Sequence, residues 1–130
     1  MIKISANRLS VGKFYHASPL LVWELITDTA QWPRWGPTVK RVRFPERFIY
    51  KDSRGHVLTV FGIWLPFVVV EYEDASFWSW KVSSVKATGH RIQAIETGGC
   101  FLWFEMPMIA SPYALVCKLA LGRIEKLLSE

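Results

Sequence analysis

The sequence predicts an α+β domain in which a curved antiparallel sheet of seven strands wraps around a long C-terminal helix, with two short helices after the first strand. Three observations carry this. From Thr38 to Met106 the chain is a series of short runs rich in β-branched and aromatic residues, broken by turn-sized gaps such as Lys51–Gly55 and Thr97–Gly99. Strands joined by such short turns must be antiparallel. The C-terminal segment instead places Tyr113, Val116, Cys117, Ala120, Ile124 and Leu127 at helical spacing, with Lys118, Arg123, Glu125 and Lys126 largely on the other face. A sheet with one apolar face must be covered, and this helix alone is long enough to cover it.

The elements follow in order. Residues 1–9 carry no clear signal, and Val11–Ala17 reads as the first strand. Ser18-Pro19 writes a helix start: the hydroxyl can accept a free backbone N–H, and proline at the first helical position loses no bond. Leu20–Ile26 is apolar apart from Glu24, and Asp28-Thr29 closes the helix. Gln31–Pro37 then packs two indoles between two prolines, which suits a short second helix or turn capping something hydrophobic. Thr38–Phe44 alternates as a second strand, interrupted by Pro45-Glu46-Arg47. His56–Ile63, Phe67–Tyr72, Phe77–Ser83, Ala87–Glu96 and Cys100–Met106 read as the remaining strands, with Trp64-Leu65-Pro66 as a turn. A three-residue loop at Thr97-Gly98-Gly99 pairs Ala94 with Leu102 and Ile92 with Phe104, and brings His90 near Met106, all on one side, whereas a two-residue loop would send Trp103 and Glu105 inward instead. Ser111-Pro112 repeats the helix-start signal ahead of Tyr113–Ser129.

Several of these residues together resemble a known family. Ala17-Ser18-Pro19, Val22-Trp23, Leu25-Ile26 and Asp28, followed by Trp32, Trp35, Pro37 and Val39, are similar to the opening of the START-like superfamily in its SRPBCC, polyketide cyclase/dehydrase-like branch. Gly62–Phe67, Trp78-x-Trp80-x-Val82, Thr88-Gly89-His90 and the apolar C-terminal helix continue the likeness in the same order. The resemblance implies a helix-grip (START/Bet v 1-like) fold over nearly the whole chain. It implies no universal catalytic signature. One departure is plain: Leu20-Leu21 stand where the family often has acidic residues, which makes the first helix greasier.

Length and composition narrow the reading. The 130 residues fit one domain, 1–130, with one core. At 51% hydrophobic with 21% charged residues, the chain is no disordered segment. Its longest apolar run, Phe61 to Val70, contains Pro66 and falls short of the roughly 20 residues a membrane span requires. The opening MIKISANRLS lacks the apolar core of a signal peptide, so a cytoplasmic protein is expected, without stable membrane insertion. Cys100 and Cys117 read as two reduced thiols. Of the net charge of +5, much clusters in Lys40, Arg41, Arg43, Arg47, Lys51 and Arg54. That cluster suits an anionic partner or, more plainly, the wet face of a strand and its loop, and no nucleic-acid partner is expected.

Seven Trp, eight Phe and four Tyr exceed what a small core needs, so some should line a cavity or an interface. The space between sheet and helix is the natural pocket. Trp35, Trp80 and Phe104 are candidates for its walls, though core packing accounts for each equally well. Tyr113, with the small Cys117 and Ala120, would line it from the helix. His90 points inward on the pairing above and reads either as a catalytic base or as a core imidazole satisfied by a backbone carbonyl. Glu71 shares parity with Phe67 and Val69 and reads either as an inward carboxylate suited to proton transfer or as a residue paired with a cation or set at the sheet rim. His16, His56 and His90 have no second ligand at metal spacing, so neither a metal nor another cofactor is expected.

Three function classes follow. A binder would take a lipid, isoprenoid or polyketide-like molecule into the cavity. A polyketide cyclase/dehydratase-type enzyme would use His90 and Glu71 for general acid–base catalysis there. An interaction protein would use outward aromatics, and Phe77, Ile95, Phe101 and Trp103 suggest a weak homodimer. The scarcity of inward polar groups favours binding.

Overall fold

A computed structural model describes residues 1–130. The first expectation it corrects is the strand count. Eight strands form one antiparallel sheet in the order β1-β2-β8-β7-β6-β5-β4-β3. These are β1 (Ile2–Ser5), β2 (Arg8–Tyr15), β3 (Val39–Arg43), β4 (Arg54–Thr59), β5 (Trp64–Glu73), β6 (Phe77–Val82), β7 (Val85–Ala94) and β8 (Cys100–Pro107). The extra strand is β1, exposed at the sheet edge, and its four residues Ile2-Lys3-Ile4-Ser5 alternate over too short a run to mark a strand by pattern. Its two-residue turn puts Ala6 and Asn7 at positive φ, a hairpin geometry written here without glycine.

The first helix obeys its start and stop signals. In α1 (Pro19–Thr27), Ser18 Oγ accepts from Leu21 N at 3.1 Å, with Pro19 in the first turn. Asp28 ends the helix, and its buried carboxylate accepts two hydrogen bonds from Arg47, at 2.9 and 2.7 Å. A short α2 (Trp32–Trp35) follows. The second Ser-Pro signal acts differently. Pro112 lies inside a 3-10 turn (Met108–Tyr113), and α3 (Ala114–Leu128) begins only after it.

Two local features redirect side chains. Trp64-Leu65-Pro66 is strand, with the turn at Val60–Ile63 instead. Proline is tolerated there because its carbonyl accepts from Ser83 N, just past the end of β6, so its missing N–H costs no ladder bond. A bulge at Val70 then shifts the register between Val69 and Glu71. Glu71 is thereby turned to the outer face, where it accepts from Ser79 Oγ at 2.7 Å, and Tyr72 packs on the core in its place.

Between β7 and β8 the register also differs from expectation. Ile92 pairs with Leu102, His90 with Phe104 and Ala94 with Cys100, because the hairpin turns about Thr97, where Ile95 N donates to the Gly99 carbonyl, instead of about Gly98. An even shift preserves faces, so Leu102, Phe104 and Met106 still point inward as expected. Trp103 and Phe77 do face away from α3, yet both are buried. Trp103 lies over Gly12 with the Lys3 ammonium 4.1 Å from its ring, and Arg91 covers Phe77 at 4.3 Å. Two of the four residues of the expected homodimer patch are thus covered by the chain's own cations, while Ile95 and Phe101 stay partly exposed.

On the inner face one core joins α1, α2, α3 and the sheet. Tyr15 donates to the Leu121 carbonyl at 2.7 Å, tying β2 to the middle of α3.

Candidate ligand cavity

The segment after α1 builds one wall of the cavity. The last carbonyls of a helix have no partner within it, and here the two indoles supply them. Trp32 Nε1 donates to the Ile26 carbonyl at 2.9 Å, and Trp35 Nε1 to that of Leu25 at 3.1 Å. With their polar edges satisfied, both rings turn apolar faces inward. Trp32 stacks on Trp78 at 5.4 Å and meets Trp80 and Phe67 edge-on or tilted, while Trp35 packs against Phe104 at 5.9 Å.

His90 sits in the opposite wall, 1% exposed. Its two ring nitrogens are spoken for. The Trp78 carbonyl, 3.2 Å from Nδ1, can only accept, so Nδ1 carries the proton. Nε2 then accepts from the Thr88 hydroxyl at 3.0 Å, which in turn accepts from Trp80 Nε1 at 3.3 Å. The chain from Trp80 through Thr88 and His90 to the Trp78 backbone is closed for a neutral imidazole. The ring also stacks on Trp78 at 3.9 Å. Burial lowers its pKa to about 3, the backbone hydrogen bond opposing only in part.

These walls enclose a cavity of about 530 Å³ between the sheet and α3. Trp35, Trp80, His90, Phe104, Tyr113, Cys117 and Ala120, the residues expected to bind ligand, all line it. Glu71 does not: the bulge has turned it away, and His90 has no carboxylate partner. Burial pushes the Cys117 thiol up to about 12 and raises the Tyr113 phenol, so neither is ionised near neutrality. The depth of the cavity is aromatic, and polar side chains gather toward its mouth: Thr38, Thr59, Lys86 and Tyr113. Tyr113 Oη lies 3.2 Å from Thr38 Oγ1 and links the 3-10 turn to the start of β3.

Trp32, Trp78 and Thr88 also belong to the site, and the sequence reading did not assign them to it. Parity alone would have found two of them, since Trp78 shares a face with Trp80 and Thr88 with His90. The family described as polyketide cyclase / dehydrase and lipid transport matches residues 8–128. The chain belongs to this family. No curated protein matches the sequence. Solved structures of the same fold include a protein from Rhodobacter sphaeroides, with 18% identity, 99% of this chain and 97% of that one covered, and a TM-score of 0.72. Others are a protein from Nitrosomonas europaea (15% identity, 97% and 97% covered, TM-score 0.71) and XoxI from Bacillus cereus (12%, 94% and 95%, 0.70). At such identities the likeness is one of fold. Membership in the family, with its helix-grip architecture, points to a hydrophobic ligand. No helix is long and apolar enough to cross a membrane.

Proposed function

We propose that the chain binds a hydrophobic small molecule of lipid, isoprenoid or polyketide-like kind between sheet and α3, apolar body inward and oxygenated end toward the mouth. The observation that carries this is an aromatic cavity whose one imidazole is neutral and already saturated with hydrogen bonds. Its volume lies within the roughly 300–1,000 Å³ of small-molecule sites. General acid–base catalysis asks for a group titrating near the working pH, and His90, Cys117 and Tyr113 are all displaced from it. Trp78 Nε1, deep in the lining, is a buried donor without an acceptor in the chain, which suits one further oxygen on the inner part of the ligand.

Ala120 faces the cavity from the middle of α3 and tests the reading. Ala120→Trp is expected to fill the space and abolish binding of an apolar fluorescent probe, with the far-ultraviolet circular dichroism unchanged. Probe binding equal to wild type would place the ligand elsewhere. Turnover of a polyketone surrogate that collapses in His90→Gln would replace the binder with an enzyme.

A further inference from the structure

The strand register places one set of loops at a single end of the sheet. Arg8 pairs with Pro107, so the start of β2 and the end of β8 meet there. Antiparallel order brings the β6–β7 turn to the same end, and Phe67 pairing with Val82 brings the start of β5. Val39 opposite Thr59 adds the β4–β5 tip and the start of β3. The cavity mouth, at Thr38, Thr59, Lys86 and Ile109, opens at this end.

Two properties set this end apart. Large apolar side chains stand out into solvent around the mouth: Phe61 at 85% exposure, Ile109 at 92% and Val85 at 67%, with Val60 and Ile63 more than half exposed beside Phe61. Phe61-Gly62 is the tip of a tight turn, with Gly62 at φ +81° in open space. Cations predominate there. Gly36–Phe44, Val57–Pro66, Ser79–His90 and Met106–Leu121 contain no Asp or Glu, but carry Lys40, Arg41, Arg43, Lys81, Lys86 and Lys118. The nearest carboxylate, Glu105, is largely buried and held by Arg91 at 2.7 Å and Arg8 at 3.9 Å. Acidic residues lie in the turns at the other end, as Glu73-Asp74 between β5 and β6 and Glu96 between β7 and β8.

We propose that this end docks on a membrane surface bearing anionic phospholipid, with Phe61, Val85 and Ile109 entering the interface and the lysines and arginines meeting the headgroups. Apolar protrusions framed by cations match the chemistry of peripheral membrane binding, and the docked face would bring the cavity mouth onto the lipid. This goes beyond ligand binding and is tested separately from it.

The experiment is co-sedimentation with vesicles of phosphatidylcholine alone and of equimolar phosphatidylcholine and phosphatidylglycerol. Wild type is expected to bind the mixed vesicles, to lose binding as salt rises, and to bind the neutral ones weakly. Phe61→Ser with Val85→Ser, neither of which lines the cavity, should lower partitioning roughly tenfold or more while apolar-probe binding stays unchanged. Replacing Lys81 and Lys86 by Gln should cost roughly fivefold for each charge. Leu20→Ser with Leu21→Ser, exposed at the far end after β2, and Ala120→Trp should both leave vesicle binding intact. Absence of binding to the mixed vesicles overturns the proposal, as does equal binding to neutral ones or indifference to the Phe61 and Val85 changes. Loss in Ala120→Trp would also overturn it, since the cavity rather than the surface would then hold the lipid. Self-association that depends on Phe61, without vesicle binding, would make the face a contact between copies and likewise overturn it.

Discussion

A histidine that accepts from one hydroxyl and donates to one carbonyl has no place for a second proton unless Thr88 turns its hydroxyl away. His90 therefore serves the cavity as a flat, neutral wall. The consequence can be measured. Its pKa in the folded protein, about 3, lies below the ordinary value of 6.5, so the unfolded chain takes up the proton first as pH falls. The stability this neutral imidazole contributes is complete above about pH 6.5 and declines toward pH 3, by up to ~1.4 kcal/mol per pH unit. Urea unfolding of wild type and His90→Gln should thus differ most near neutrality, with the gap narrowing between about pH 6 and pH 4. A gap independent of pH would show that the folded chain does not depress the pKa of His90. Residue-scale chemistry was half legible in advance. That His90 faces the cavity followed from strand parity, whereas its saturation depends on Thr88, Trp80 and the Trp78 carbonyl meeting around one ring.

Elements were more legible than their details. Strands with one buried face announce themselves by alternation, and α1 by Ser18-Pro19, because both patterns are imposed locally. The edge strand β1 escaped notice because its four residues are too short a run, and its turn uses Ala6-Asn7 where glycine would have marked it. The bulge at Val70 was equally silent. Val68, Val69 and Val70 offer no residue that betrays which one is extra, so Glu71 was assigned to the wrong face. Between elements, Tyr15 is the joint that holds α3 to the sheet. Burial raises the pKa of its phenol, keeping it a neutral donor. Tyr15→Phe removes one buried hydrogen bond and is expected to cost about 1 kcal/mol of stability. Chemical denaturation measures it, and a loss near zero would mean that the packing of the ring alone carries the contact.

For the whole molecule, the decisive feature is that sheet and helix meet around a space they do not fill. A ligand that binds only the folded chain adds contacts across that space and stabilises it, by about 2.7 kcal/mol at a hundredfold excess over Kd. Thermal unfolding should accordingly shift upward with a long-chain amphiphile in wild type and stay put in Ala120→Trp. An equal shift in both proteins would mean the amphiphile acts outside the cavity.

The pairing of β2 with β8 carries a consequence in time. On the ribosome, residues 8–15 can fold back on β1 at once, but their other neighbour, residues 100–107, is made only some ninety residues later. The indoles of Trp32, Trp35, Trp78 and Trp80 are all synthesised before β8 arrives, and α3, which covers them, comes later still. Trp32 and Trp35 thus wait through most of the chain's synthesis for the strands and helix that cover them. The closing step joins segments far apart in sequence, the kind of event that slows folding to milliseconds or seconds. Until that step is complete, the aromatic surface has no cover from its own chain.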